Sequence, residues 1–383
     1  MTKWNFGCAV AAVFSLVLAL SPGASGQSSN PADAIVLEQE GKLDEAAETW
    51  RAVILKNPND AAANASLGVV LSKEQKYKEA TSAYERALAL NPNLPGVQLN
   101  LGLAEFKQGH FQAAITPLRA ATAADSQNQQ AATLLGLSYY GAKQFAEAAK
   151  YLEAAAQADP NNAELLQVLA QSCLWAKKYS CALNEFRLIL QQSPDSASAH
   201  MLSGEALDGL ERTPEAILEF QAAEKVAPQE PNVHFGLGYL YWKSRRYDDA
   251  KGEFEKVLSL DPNHPQALTY LGDIAMKKTN LDEALVLLRK AVAEKNDLRL
   301  AYIDMGAVLT EQKRYPEAVA ALRRAVELDP AQPDAHYRLG RAYQAMGKTV
   351  ESQKQFAKVR ELHEKSDEPL ALKISSTPPP MHQ

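Results

Sequence analysis

Two cysteines eight residues apart, Cys173 and Cys181 in "QSCLWAKKYSCAL", are the first residues whose spacing could do chemistry. They could form a disulfide or remain two buried thiols. Dithiol redox catalysis would typically use C-x-x-C, which is absent. His200 and His234 lie 34 residues apart and raise the question of a metal. No cysteine or carboxylate cluster completes a ligand set, and packed helices keep their axes roughly 8–10 Å apart, too far for side chains without a deliberate arrangement. Both are read as packing histidines, with no metal and no cofactor. The glycines of "VHFGLGYLYW" (Val233 to Trp242) do not make a dinucleotide fingerprint. The signatures G-x-x-x-x-G-K-[ST], H-E-x-x-H and G-x-S-x-G are missing as well, so the sequence points to binding and not to an enzyme.

The chain has 383 residues, 46% apolar and 22% charged, with a formal net charge of -6. That charge is mild and of the wrong sign for general nucleic-acid binding. Lys3 followed by the apolar run Phe6 to Leu20 and the small residues Ala24 and Gly26 reads as a secretory leader over residues 1–26. Export to the periplasm or the exterior follows, with an uncleaved N-terminal anchor as the alternative. No other stretch is long and apolar enough to span a bilayer.

The elements that position everything else come from a 34-residue period. Prolines recur at Pro58, Pro92, Pro160, Pro194, Pro228, Pro262 and Pro330. Small residues recur at Ala34, Gly68, Gly102, Gly136, Ala170, Gly204, Gly238, Gly272, Gly306 and Gly340. Alanines follow in step from Ala46 to Ala318, with Ser352 closing the series. Ten units therefore cover residues 27–366, ahead of a disordered, proline-rich tail over 367–383 ("SSTPPPMHQ"). Each unit shows helical periodicity twice, broken by a polar turn such as "KEQK". Neither apolar stripe can be buried within one hairpin, so neighbouring units must stack. Pro117 falls inside a second helix and should bend it; Pro214 and Pro316 fall in first turns, where proline is tolerated.

These residues resemble the tetratricopeptide repeat family. The resemblance implies an all-α, right-handed superhelical solenoid of about ten helix-turn-helix repeats, with first helices lining a concave groove. It implies scaffolding and not chemistry. Within the fifth unit, Cys173 and Cys181 lie about equally far from the hairpin turn on opposing helices, which favours a disulfide, as does export. Their C-x7-C spacing is similar to that of Sel1-like repeats.

At about 100° per residue, positions 4, 7, 8 and 11 of each unit form the buried stripe, and positions 2, 5, 9 and 12 point into the groove. An idle surface there should be polar, yet this one holds Leu103, Phe106, Leu137, Tyr140, Gln171, Glu205, Phe235, Tyr239, Trp242, Asp273 and Met276, with Trp175 beside them. Some of these must serve packing between first helices. The sixth unit carries seven acids against two bases, and the last is net basic. Chaperone-tail-binding members of the family clamp a terminal carboxylate with lysine at position 5 and asparagine at position 9; this chain has neither at any unit. The expected function is a non-enzymatic scaffold holding a peptide or protein segment in the groove by apolar and aromatic contact. The alternative is a glycan-binding accessory protein, with the aromatics stacking on sugars.

Overall fold

The structure, a computed structural model, describes residues 30–367. The leader read at residues 1–26 and the tail beyond residue 367 lie outside the described residues. Among those described, twenty α-helices and no strand are present, as ten successive helix pairs.

A first compact body ends at Ala155 and a second begins at Ala156, so the division falls within the eighth helix. The first body is built from α1 (Pro31–Gln39), α2 (Leu43–Lys56), α3 (Ala61–Lys73), α4 (Tyr77–Leu90), α5 (Val97–Lys107), α6 (Phe111–Ala124), α7 (Gln129–Gly141) and most of α8 (Phe145–Ala158). The second holds α9 (Ala163–Trp175), α10 (Tyr179–Gln192), α11 (Ala197–Gly209), α12 (Thr213–Val226), α13 (Pro231–Lys243) and α14 (Tyr247–Leu260). It continues through α15 (Pro265–Lys277), α16 (Leu281–Glu294), α17 (Arg299–Glu311), α18 (Tyr315–Leu328), α19 (Pro333–Ala345) and α20 (Thr349–Asp367).

Most first helices start where the sequence supplies a cap or a proline; α5, after Gly96, and α17, after Leu298, have neither. The Asp60 carboxylate accepts from the backbone N–H of Ala63 at 2.9 Å, and Asn128 and Asn162 do the same for Ala131 and Leu165. Later in the chain, proline in the first turn presets φ, as at Pro231, Pro265 and Pro333. First helices then turn into second helices through one left-handed residue. Gly41, Gly109 and Gly347 take that position, but so do Gln75, Lys143, Lys177, Glu211, Arg245, Thr279 and Lys313, with φ between 59° and 62°. A side chain in that conformation costs about 1 kcal/mol or more, which the hairpin packing offsets. α6 runs through the buried Pro117 as one 14-residue helix.

The recurring small residue is explained by what lies against it. A Cβ at Gly238 would sit 2.7 Å from Cε1 of Phe254, a ring with no exposure that packs directly on the α13 backbone. Tyr84 does the same over Gly68. These contacts join the two helices of a hairpin, and further contacts of α12 with α13 and of α14 with α15 carry the core from one repeat to the next.

Cys173 on α9 and Cys181 on α10 are joined by a disulfide, with their Cα atoms 5.8 Å apart. It crosses a short loop, so replacing both cysteines with alanine should lower the stability of this hairpin by roughly 2–3 kcal/mol. Local hydrogen exchange over α9 and α10 measures it; unchanged protection in the variant would show the bridge to be energetically idle.

Candidate functional site

Four rings meet around Tyr270 of α15. Its centroid lies 5.0 Å from Trp242, 5.2 Å from Phe254, and 6.0 Å from both Phe235 and Tyr239. The Phe254 contact is parallel, and the other three are edge-on, the arrangement aromatic quadrupoles favour. Tyr239 and Trp242 lie nearly parallel at 6.2 Å, and Phe235 also packs 5.2 Å from the His264 ring. Burial pushes the Tyr270 hydroxyl up to about 12, with the nearby Tyr239 and Asp273 adding to the effect.

Below this cluster Asp273 is buried. Trp242 Nε1 donates to its Oδ2 at 2.5 Å, and Lys277 Nζ bonds its Oδ1. The same ammonium stands 5.5 Å from the Trp242 ring and 5.8 Å from that of Tyr247. Asp304 of α17 lies close enough to interact with Asp273 and Tyr270, is 2% exposed, and leaves Oδ2 without a hydrogen-bond partner. Burial, reinforced by the Asp273 charge, pushes its carboxyl up to about 7, against the opposing pull of Arg338 and Lys277.

Beside the aromatic cluster, between α11 and α13, opens a cleft of about 420 Å³. Met201, Glu205 and Asp208 line it from α11, Phe220 from α12, and Asn232, Phe235, Gly236, Tyr239 and Leu240 from α13. Gly236 matters here because a Cβ would collide with the Phe220 ring, closing the approach of α12 to α13. Asp208 is bonded to Lys243 at 2.6 Å. Glu205 makes no hydrogen bond or ion pair among the described residues. Its side chain reaches solvent, and desolvation by the surrounding protein raises its pKa.

The sequence-derived site residues are thus distributed over two bodies. Glu205, Phe235 and Tyr239 line the cleft, and Trp242 and Asp273 lie beside it around Tyr270. Met276 is half-buried against the core that α15 shares with α16 and α17. Gln171 is half-buried on α9, and Trp175 at its end is 48% exposed. In the first body, Leu103 and Leu137 are half-buried, and Phe106 packs edge-on against Phe111 at 5.5 Å. Tyr140 does likewise with Phe145 at 6.0 Å, in both cases linking a first helix to its own second helix.

Sequence reasoning passed over Tyr270 and Asp304. Both occupy position 6 of their units, between the buried stripe and the surface, as does Gly236. An aromatic at that position in one unit and an acid in the next were the available signal.

His200, His234 and His336 share one arrangement. Nδ1 meets Glu219, Glu253 or Gln355 of the following helix at 2.7–2.8 Å, and Nε2 meets the carbonyl of Pro194, Pro228 or Pro330. Glu224, His234 and Glu253 bring ligand-type atoms within 4.8 Å of one another. Lys256 bonds both carboxylates, at 2.8 and 2.9 Å, and supplies the positive charge there.

Paired helices at a constant period, stacked through small residues, define a helical-hairpin repeat protein. Family models described as TPR repeat match residues 71–109 and 306–347, and models described as tetratricopeptide repeat match 99–163, 139–206, 235–298 and 334–366. The repeats of this chain are tetratricopeptide repeats. Among solved structures, the Cut9–Hcn1 hetero-tetramer of APC/C aligns with a TM-score of 0.52 at 14% identity, over 89% of this chain and 74% of that one. Yeast Tom70 aligns at 0.40 and 16% identity, over 91% and 98%. YrrB, described as a TPR protein with an unusual peptide-binding site, aligns at 0.39 and 21% identity, over 50% and 98%. No curated protein matches the sequence.

Proposed function

We propose that this chain is a non-enzymatic scaffold that binds an extended peptide or protein segment in the cleft between α11 and α13. The observation that carries the reading is the cleft itself, walled by the half-buried Phe235 and Tyr239 and edged by the unpaired Glu205. A peptide suits it better than a glycan. Sugar stacking would draw on the indole, whereas the Trp242 ring lies outside the cleft lining, packs on Tyr239 and Tyr270, and has its N–H taken by Asp273.

Export to an oxidising compartment completes the reading, supported by the leader-like residues 1–26 and by the cysteine pair. Recovery of native protein from the cytosol with both thiols alkylatable would count against it.

The double substitution Tyr239→Ala, Trp242→Ala tests the site. Partner capture should fall by at least about a hundredfold, the loss of one aromatic wall of the cleft together with the ring that backs it, while circular dichroism keeps the helical signal. Undiminished binding removes this cleft from consideration. A change of tryptophan fluorescence on adding envelope polysaccharide, with none on adding peptide, would restore the glycan alternative.

A further inference from the structure

The cleft has one carboxylate with no partner and two aromatic walls, and that combination selects its occupant. Of the two acids lining it from α11, Asp208 is neutralised by Lys243 at 2.6 Å, while Glu205 one turn earlier has no cation. The repeat that supplies them carries seven acids and two bases, and one of those bases, Arg212, is already bonded to Glu215. The Phe235 and Tyr239 rings complete the walls without adding charge.

We infer that the cleft receives an arginine side chain of the bound segment, its guanidinium paired with Glu205 and packed against the Phe235 and Tyr239 rings. This rests on the cleft being a peptide site. A carboxylate accepts two parallel N–H bonds from a guanidinium, and the planar cation also packs on aromatic faces; an ammonium does the first less well and the second more weakly. Glu205 gains most from such a partner, because the protein around it already withholds part of its hydration. A terminal carboxylate would meet repulsion from the same group.

The experiment selects a displayed library of random linear dodecapeptides on the full chain. The same selection is run on Glu205→Gln and on the Tyr239→Ala, Trp242→Ala double variant. Wild type should enrich arginine at one fixed position, and the preference should vanish with Glu205→Gln. A selected peptide is then synthesised with arginine and with citrulline, its uncharged isostere. Wild type should bind the arginine form about tenfold or more tightly, the scale of a lost charge-assisted hydrogen bond. Glu205→Gln should bind the two within about twofold of each other, and should hold the citrulline peptide as wild type does, which also shows it is folded. Enrichment without a basic residue, or an arginine preference that survives Glu205→Gln, overturns the inference and leaves the peptide site standing. Enrichment equal to that on the double-alanine variant overturns the peptide site, and the inference falls with it.

Discussion

Asp304→Asn should make the protein more stable at pH 8 and remove a fall in stability that wild type shows between about pH 4 and pH 7. The wild-type carboxyl titrates near 7 in the folded chain, against an ordinary carboxylate value of 3.8 when exposed. Between those values the folded state holds a proton that the unfolded state has released. Stability therefore decreases as pH rises through this window, and is flat above it. Its contribution is fully present below about pH 4 and lost by about pH 7 to 8. The gap between the folded and exposed values corresponds to about 4 kcal/mol at most, since a tenfold change in proton affinity is worth about 1.36 kcal/mol. The physical source is a carboxylate 2% exposed, with Oδ2 unbonded and the Asp273 charge nearby. Asparagine keeps the shape and removes the charge. At pH 4 the two proteins should be close in stability, and at pH 8 the variant should lead by a few kcal/mol. Urea unfolding at a series of pH values, followed by exchange of α15 and α17 amides, measures the difference. A variant with the same pH slope as wild type would show that Asp304 is ionised throughout.

The helical frame was legible because a 34-residue period repeats the same physical problem ten times. Each glycine in this series answers one ring or leucine across its hairpin, so Gly68, Gly238 and their glycine counterparts mark eight of the ten first helices from sequence alone. The cysteine pairing was legible for a related reason: the turn between α9 and α10 places the two residues opposite each other. The left-handed turn residue was not, because seven of its ten occupants are not glycine and share only the polarity that any exposed turn shows. Packing holds those residues in place, and packing leaves no local signature.

The candidate site was legible only where it faces outward from one helix. Helical arithmetic places Glu205, Phe235 and Tyr239 on a common side of their helices, and they meet in one cleft. It could not say that Trp242 would reach Asp273 on the next first helix, or that Lys277 would cover the same carboxylate. Those contacts depend on how closely α13 and α15 approach, which the ring at Tyr270 sets. Phe106 and Tyr140 obey the same arithmetic as Tyr239, yet both also pack edge-on against an aromatic that opens their own second helix. A period of one helix cannot distinguish a ring used across repeats from one used within a hairpin.

Tyr270→Ala should be the most damaging single change at the site, in both stability and binding. Tyr270 touches four rings, Phe235, Tyr239, Trp242 and Phe254, and so ties the aromatics of α13 to the ring buried under them from α14. Removing it opens a cavity beneath the α13 aromatics, at a cost of about 3 kcal/mol or more. The cleft should loosen with it, since Phe235 and Tyr239 form its wall and both lean on this ring. Tyr270→Phe separates ring from hydroxyl. The hydroxyl has no hydrogen bond among the described residues, and burial above all holds its titration far above neutrality, so its removal should cost less than about 1 kcal/mol. Denaturant unfolding and peptide binding on the two variants decide the matter. Equal losses for alanine and phenylalanine would assign the role to the hydroxyl and not to the ring. An alanine variant that unfolds as wild type does would mean that the Phe254 and Trp242 rings close the gap themselves, and that the wall of the cleft does not depend on Tyr270.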